Sequence, residues 1–175
     1  MRGIKKIMAA IDLSDYTCSI LETAESLAKA LQCELLIANV INPGSVDAIK
    51  LVEQFEHDFK ELPQDVKVKK YLEKQKEQRS GQLDAMIDRL GMSNIKAKKV
   101  YRVGIPFEQL IWIVKDEDVD LVVMGPKGKT NLATVLFGTT AEKMFRHCPV
   151  SVLSVREKAS DDLRACMFLE SKRTR

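Results

Sequence analysis

The sequence predicts an α/β fold: a doubly wound, five-stranded parallel sheet in a three-layer α/β/α arrangement. Two observations carry this. Short runs that are apolar on both faces alternate along the chain with amphipathic segments, in the order β-α-β-α(α)-β-α-β-α-β, which is the signature of a parallel sheet covered on both sides. Right-handed crossovers between successive parallel strands then wind the sheet in both directions. In such a sheet ligands bind at the carboxyl ends of the strands, where the winding reverses.

Residues 4–11 form the first strand, ended by Asp12. Ser14 is placed to N-cap a helix with Asp15 in its first turn. Ile20, Leu21, Ala24, Leu27, Ala28 and Leu31 then recur at helical spacing, which predicts a helix over 14–31. Residues 34–41 are the second strand, stopped by Asn42-Pro43-Gly44. Val46, Ile49, Leu51, Val52 and Phe55 suggest a helix that Pro63 ends. Leu83, Met86, Ile87 and Leu90 mark the core face of another, with Gly91 where a C-cap is wanted. Between them the run Glu73-Lys74-Gln75-Lys76-Glu77-Gln78-Arg79-Ser80 has no apolar residue and reads as a solvated helix face or extension; the alternative is a projection that binds a partner. Residues 95–103 form the third strand, with Ala97, Val100 and Val103 as its apolar markers. Gly104-Ile105-Pro106 turns into a helix reaching about Lys115, with Phe107, Leu110, Ile111 and Val114 as its core stripe. Residues 119–124, 139–147 and 150–155 complete the pattern as strand, helix and strand. The alternating pattern occupies 1–156 as one domain, and 157–175 is a C-terminal tail with one weak amphipathic patch at Leu163, Met167 and Phe168.

Bulk properties narrow the function. A chain of 175 residues is the size of one domain. Its net charge of +3, with both signs interspersed, argues against a nucleic-acid partner, which selects a strongly basic face. Cys18, Cys33, Cys148 and Cys166 lie far apart with no CxxC pair, so they read as small apolar residues in a reducing cytoplasm. The basic start is followed by an apolar run that Asp12 cuts too short for a signal peptide. No apolar run approaches bilayer length, so no membrane partner is expected.

The most informative segment is Met124-Gly125-Pro126-Lys127-Gly128, followed by Gly138-Thr139-Thr140. It begins where an apolar strand ends and finishes where a helix begins. Glycines allow close approach of the backbone to a ligand and positive φ. The helix start supplies free N–H groups and partial positive charge, and together these make a phosphate site. Two threonine hydroxyls can supplement the amides, and Lys127 and Lys129 can screen a polyphosphate or simply stand as solvated side chains. Pro126 stiffens the loop and removes one donor. Gly128-Lys129-Thr130 is not the end of a P-loop, because the first glycine that motif requires falls at Val123. Asp12 at the end of the first strand can accept hydrogen bonds from a ribose or an adenine edge, or can simply form the turn. Val40 would act through its backbone. Asp12, residues 40–42 and the glycine loop converge on one crevice. His147-Cys148 are adjacent in sequence without being a nucleophile–base pair. Asp116, Glu117, Asp118 and Asp120 read as a solvated turn at the opposite rim. No metal set at ligand spacing and no nucleophile–base–orienter set can be assembled.

These residues resemble the universal stress protein family, whose ATP-binding members carry G-x2-G-x9-G-[S/T]. Here the motif is Gly125, Gly128, Gly138 and Thr139 with the spacing intact. Supporting stretches are Ala10-Ile11-Asp12-Leu13-Ser14, Val40-Ile41, Gly104-Ile105-Pro106-Phe107-Glu108, Asp120 to Gly125, and His147 to Leu153, so that the resemblance covers about 1–156. It implies a Rossmann-like domain of the adenine-nucleotide alpha-hydrolase kind. The ligand would be ATP, or ADP or AMP, held by Ala10, Asp12, Val40, Met124, Gly125, Gly128, Lys129, Gly138, Thr139 and Thr140, with Mg2+ or Mn2+ on the phosphates. It further implies a cytoplasmic homodimer joined through the last strand, 150–155, where Ser154 is expected to be the position that tolerates a charge. The function so implied is a nucleotide-dependent switch or scaffold in stress response. The alternatives are an enzyme that slowly hydrolyses ATP and a nucleotide-free interaction module.

Overall fold

The computed structural model describes residues 3–42, 64–92, 96–128 and 137–156. Its elements are β1 (Lys6–Ile11), α1 (Thr17–Leu31), β2 (Glu34–Ile41), α2 (Gln64–Arg89), β3 (Ala97–Val103), α3 (Pro106–Asp116), β4 (Leu121–Met124), α4 (Thr139–His147) and β5 (Ser151–Ser154). The expected helix around residues 46–55, the break at Pro63, Lys129 and the tail 157–175 lie outside the described residues.

The strands form one parallel sheet in the order β3-β2-β1-β4-β5. The chain winds outward from β1 through β2 to β3, then returns to the other side of β1 for β4 and β5. The switch point therefore lies between β1 and β4. Alternate residues of the central strands feed two cores, as the pleat dictates. Ile7, Ala9, Ile11, Leu35 and Ile37 pack with Ile20, Leu21 and Ala24 of α1 and Leu83 and Ile87 of α2. Met8, Ala10, Leu36, Ala38, Val40 and Val122 pack with Leu110, Ile113 and Val114 of α3 and Ala141 and Met144 of α4. Many of these side chains, including Ile7, Met8, Leu36 and Val122, are fully or almost fully enclosed, and hydrophobic burial on both faces holds the sheet.

Local chemistry departs from the expectation at three places. The helix after β1 begins at Thr17, with Tyr16 at the N-cap and no side-chain capping bond. Ser14 instead gives its backbone N–H to Asp12 Oδ1 at 3.1 Å, and Leu13 takes a left-handed φ of 62°. This Asx-type turn delays the helix by three residues. On β3, Val103 is 42% exposed, because β3 is an edge strand with Lys98 and Lys99 also facing solvent. On β5, Leu153 is 39% exposed while the Ser154 hydroxyl is buried with no hydrogen-bond partner among the described residues, which reverses the expected tolerance of these two positions.

The charged run 73–80 lies inside one continuous 26-residue helix, α2, which ends as expected. Gly91 has φ +67°, its N–H reaches Asp88 O, and Met92 N–H reaches Ile87 O, both at 3.0 Å. No helix of the described residues is long and apolar enough to cross a membrane.

Candidate nucleotide site at the switch point

The strand order sets the carboxyl ends of β2, β1 and β4 side by side. Ala10 is in register with Ala38 on one side and Met124 on the other. Ala10, Val40 and Met124 are buried, their side chains belonging to the core under α3 and α4. What they present at the rim is backbone. Asp12 follows β1 and is half-buried.

The glycine loop folds directly onto these strand ends. A Cβ added at Gly128 would lie 2.6 Å from Asp12 Oδ2, so with a side chain there either the loop backbone or this carboxylate has to shift. A Cβ at Gly125 would lie 3.0 Å from Tyr16 Cβ and 3.2 Å from its Cγ. Close approach, and not positive φ, is what these glycines supply. Among the described glycines positive φ occurs at Gly91 and Gly104, away from the loop, which corrects that part of the expectation.

The two ends of the glycine motif also meet. Gly138 gives its N–H to Pro126 O at 2.8 Å, and a Cβ built on it would sit 3.5 Å from Lys127 Cα and 3.6 Å from Gly128 N. The Gly138 amide is thus spent within the protein. Gly138 is the N-cap of α4, with φ −73° and ψ 156° and no side-chain capping bond. Its carbonyl accepts the first helical bond, from Glu142 N–H at 2.9 Å. The N–H groups of Thr139, Thr140 and Ala141 precede that bond and have no partner within the helix. Thr139 is exposed and Thr140 half-buried. The structure therefore brings together Asp12, Gly125, Gly128, Gly138 and the start of α4. Lys127 is half-buried in the same loop.

Sequence reasoning missed residues beneath the rim. Asn39, 2% exposed, is the polar residue within the apolar run 35–41 of β2, and that mismatch was the available signal. Its Nδ2 donates to Ile11 O at 2.9 Å, and its Oδ1 accepts from Arg79 Nη1 at 3.1 Å. Arg79 belongs to the charged run of α2, where no local pattern separates it from its solvated neighbours. Ser14 Oγ and Thr17 Oγ1, just after Asp12, are buried hydroxyls with no hydrogen-bond partner among the described residues.

The rejected candidates behave structurally. His147 packs edge-on against Phe107, ring centres 6.0 Å apart. Burial pushes the Cys148 thiol up, away from the thiolate a nucleophile needs. Glu117 and Asp116 pair with Lys98 and Arg102, and Asp120 Oδ2 accepts the backbone N–H groups of Lys5 and Lys6 at 2.8 and 3.0 Å. An open depression of about 590 Å³ lined by Lys5, Glu34, Lys115, Asp118 and Pro149 lies at that same amino-terminal rim, opposite the glycine loop. Among the described residues no three His, Cys, Asp or Glu side chains gather as a metal site.

The model of the Universal stress protein family matches residues 3–156. The chain belongs to the universal stress protein family. It is 27% identical over 169 residues to universal stress protein MJ0577 of Methanocaldococcus jannaschii, covering 89% of this chain and 97% of that one. It is 29% identical over 158 residues to universal stress protein YxiE of Bacillus subtilis, covering 86% and 98%. The solved structure of MJ0577 superposes with a TM-score of 0.63 at 30% identity, over 91% of this chain and all of that one. Universal stress protein UspA from Lactobacillus plantarum shares the fold, with a TM-score of 0.62 at 19% identity over 89% of this chain and all of that one. So does a universal stress protein solved in complex with cAMP, at 0.55 and 18% over 89% and 98%.

Proposed function

We propose that this universal stress protein binds ATP, or ADP or AMP, at the switch point and acts as a nucleotide-dependent switch or scaffold in the cytoplasmic stress response. The observation that carries this reading is the packing of Gly128 on the Asp12 carboxylate, with Gly138 closing the loop against the first turn of α4. The site then has two chemically distinct ends. Asp12 accepts hydrogen bonds from the sugar or base, and the backbones at Ala10, Val40, Met124 and Gly125 wall the purine. The loop, Lys127, Lys129, Thr139, Thr140 and the positive end of α4 take the phosphates. Mg2+ or Mn2+ would enter on the phosphate oxygens themselves, because Asp12 alone does not make a protein-held cation site. A family member of the same fold was solved with cAMP, which makes adenine nucleotides the first ligands to test.

The domain proper is 1–156, with 157–175 appended as a tail. Dimerisation is proposed through β5. It is the last strand in the sheet order, no strand of the described residues pairs with its outer edge, and Leu153 beside that edge is exposed.

The deciding experiment is calorimetric titration of ATP, ADP and AMP into the wild type and Gly128→Val. Binding by the wild type and its loss in the folded variant are expected. Equal binding by both would place the ligand elsewhere.

A further inference from the structure

We propose that Arg79 is a positioning residue for this site, acting through Asn39 on Asp12, and that it links nucleotide occupancy to α2. The inference deepens the nucleotide reading above and rests on it for the ligand.

The path is short and made of directed bonds. Ile11, the last residue of β1, is the register partner of Asn39, two residues before the end of β2. β1 pairs with β4 only as far as Ala10, opposite Met124. The last carbonyl of β1, Ile11 O, is taken by the Asn39 side chain at 2.9 Å. That bond fixes the orientation of the peptide leading into Asp12. Asn39 is free to rotate its amide unless its oxygen is also held, and Arg79 Nη1 holds it at 3.1 Å. A buried amide with both ends bonded is rigid, and removing one partner leaves the other uncompensated. Downstream, Asp12 Oδ1 receives Ser14 N–H and Oδ2 lies under Gly128. The proposal concerns the bond Arg79 makes to Asn39, whatever else its guanidinium touches.

Arg79 also marks where α2 stands relative to the rim. Leu83 and Ile87 pack under the sheet with Leu35 and Ile37, and Lys99 of β3 pairs with Asp84. Going back along α2 from Ile87 to Arg79 therefore moves toward the carboxyl ends of the strands. The fifteen residues from Gln64 to Gln78 continue in that direction for about 22 Å at the helical rise. Asp12 and this half of α2 are thus joined through one side-chain relay. Two elements that fix each other's geometry respond to a ligand reciprocally.

The test compares four proteins by calorimetry with ADP and by amide hydrogen exchange: wild type, Arg79→Met, Arg79→Lys and Lys99→Met. Arg79→Met is expected to weaken ADP binding about tenfold, the equivalent of one lost charge-assisted hydrogen bond. Arg79→Lys, whose ammonium can still donate to Asn39 Oδ1, restores most of it. Lys99→Met removes a different tie between α2 and the sheet and binds as the wild type does. In exchange, the Ser14 amide loses protection about tenfold in Arg79→Met and keeps it in Lys99→Met, with or without ADP. ADP added to the wild type slows exchange over residues 68–82. Affinity and Ser14 protection unchanged in folded Arg79→Met would overturn the proposal, as would equal losses in Lys99→Met, which would mean only that α2 must be docked. A wild type that takes up no adenine nucleotide sinks the nucleotide reading, and Ser14 exchange alone then decides the relay.

Discussion

Replacing Gly128 by alanine adds one methyl group where the Asp12 carboxylate already is. The new Cβ would lie 2.6 Å from Oδ2, well inside van der Waals contact. Either the loop lifts or Asp12 rotates away. Rotation breaks the Asx-type bond from Ser14 N–H to Oδ1, now 3.1 Å. That bond is half-exposed, so its loss should cost only about 1 kcal/mol of folding stability, a shift of a few degrees in Tm. The effect on ligand binding is larger. On the proposed reading a displaced carboxylate would forfeit a charge-assisted hydrogen bond to the nucleoside, about 1.5–3 kcal/mol, or roughly ten- to a hundredfold in affinity. Gly138→Ala is the matched control. Its Cβ meets Lys127 Cα at 3.5 Å, an ordinary contact, and its φ of −73° suits alanine. Calorimetry on both variants, with thermal unfolding as the check on folding, should show a large loss for Gly128→Ala and a change within about twofold for Gly138→Ala. Equal affinity of wild type and Gly128→Ala, or equal losses in both variants, would refute the claim that Gly128 is glycine because of Asp12.

Other positions give independent readings. Leu153→Arg should halve the mass measured by light scattering if copies join along β5, and an unchanged dimer mass would put the interface elsewhere. Gly104→Ala should cost about 1–2 kcal/mol in urea unfolding, because alanine does not suit φ +141° and its Cβ would meet Gln109 Nε2 at 3.0 Å; no loss would contradict that backbone. Glu117 is held below its ordinary value of 4.5, first by its hydrogen bond from Lys98. A lowered carboxyl contributes stability above the unfolded value and loses it as pH falls through the folded one. Lys98→Met should therefore cost up to about 0.5 kcal/mol at neutral pH and nothing well below 4.5. A pH-independent difference would assign the effect to packing.

What could be read in the sequence was what local pattern encodes. β1, β2 and β4 are buried on both faces, so their apolar runs stood out, and the α4 boundaries follow from glycine, threonine and the apolar spacing after them. Asp12 and the glycine loop were visible because strand ends and helix starts leave local signatures, and parallel topology alone brings such ends together. The edge strands were harder. β3 carries Lys98, Lys99 and an exposed Val103, and whether a strand is central or peripheral depends on its neighbours, which no local window contains. The same holds for Arg79: in sequence it is one charge among many, and only the position of α2 over β2 brings it to Asn39. The start of α1 was misplaced because Ser14 serves either as a cap or as a turn donor, and the carboxylate two residues earlier decides between them.

The position of Asp12 carries a consequence for the direction in which a nucleotide can lie. The Asp12 carboxylate beside Gly128 places negative charge at the strand-end side of the loop. A phosphate chain in that position would meet direct repulsion, whereas sugar hydroxyls or an exocyclic amine can donate to it. The other side of the loop ends at the first turn of α4, whose partial positive charge favours anions. Glu142 in that turn weakens the field less than its charge suggests, since its carboxylate is paired with Arg146 at 3.0 Å. On the proposed reading the two ends of the site would therefore sort the two ends of a nucleotide by charge, nucleoside on Asp12 and phosphates on α4. Neutralising Asp12 should relax that sorting. Asp12→Asn keeps the size and the Ser14 bond while removing the repulsion. It would weaken adenosine, measured by calorimetric titration, more than it weakens ATP, widening the gap between a ligand that has only the nucleoside end and one that also has phosphates; equal losses for the two would refute the sorting.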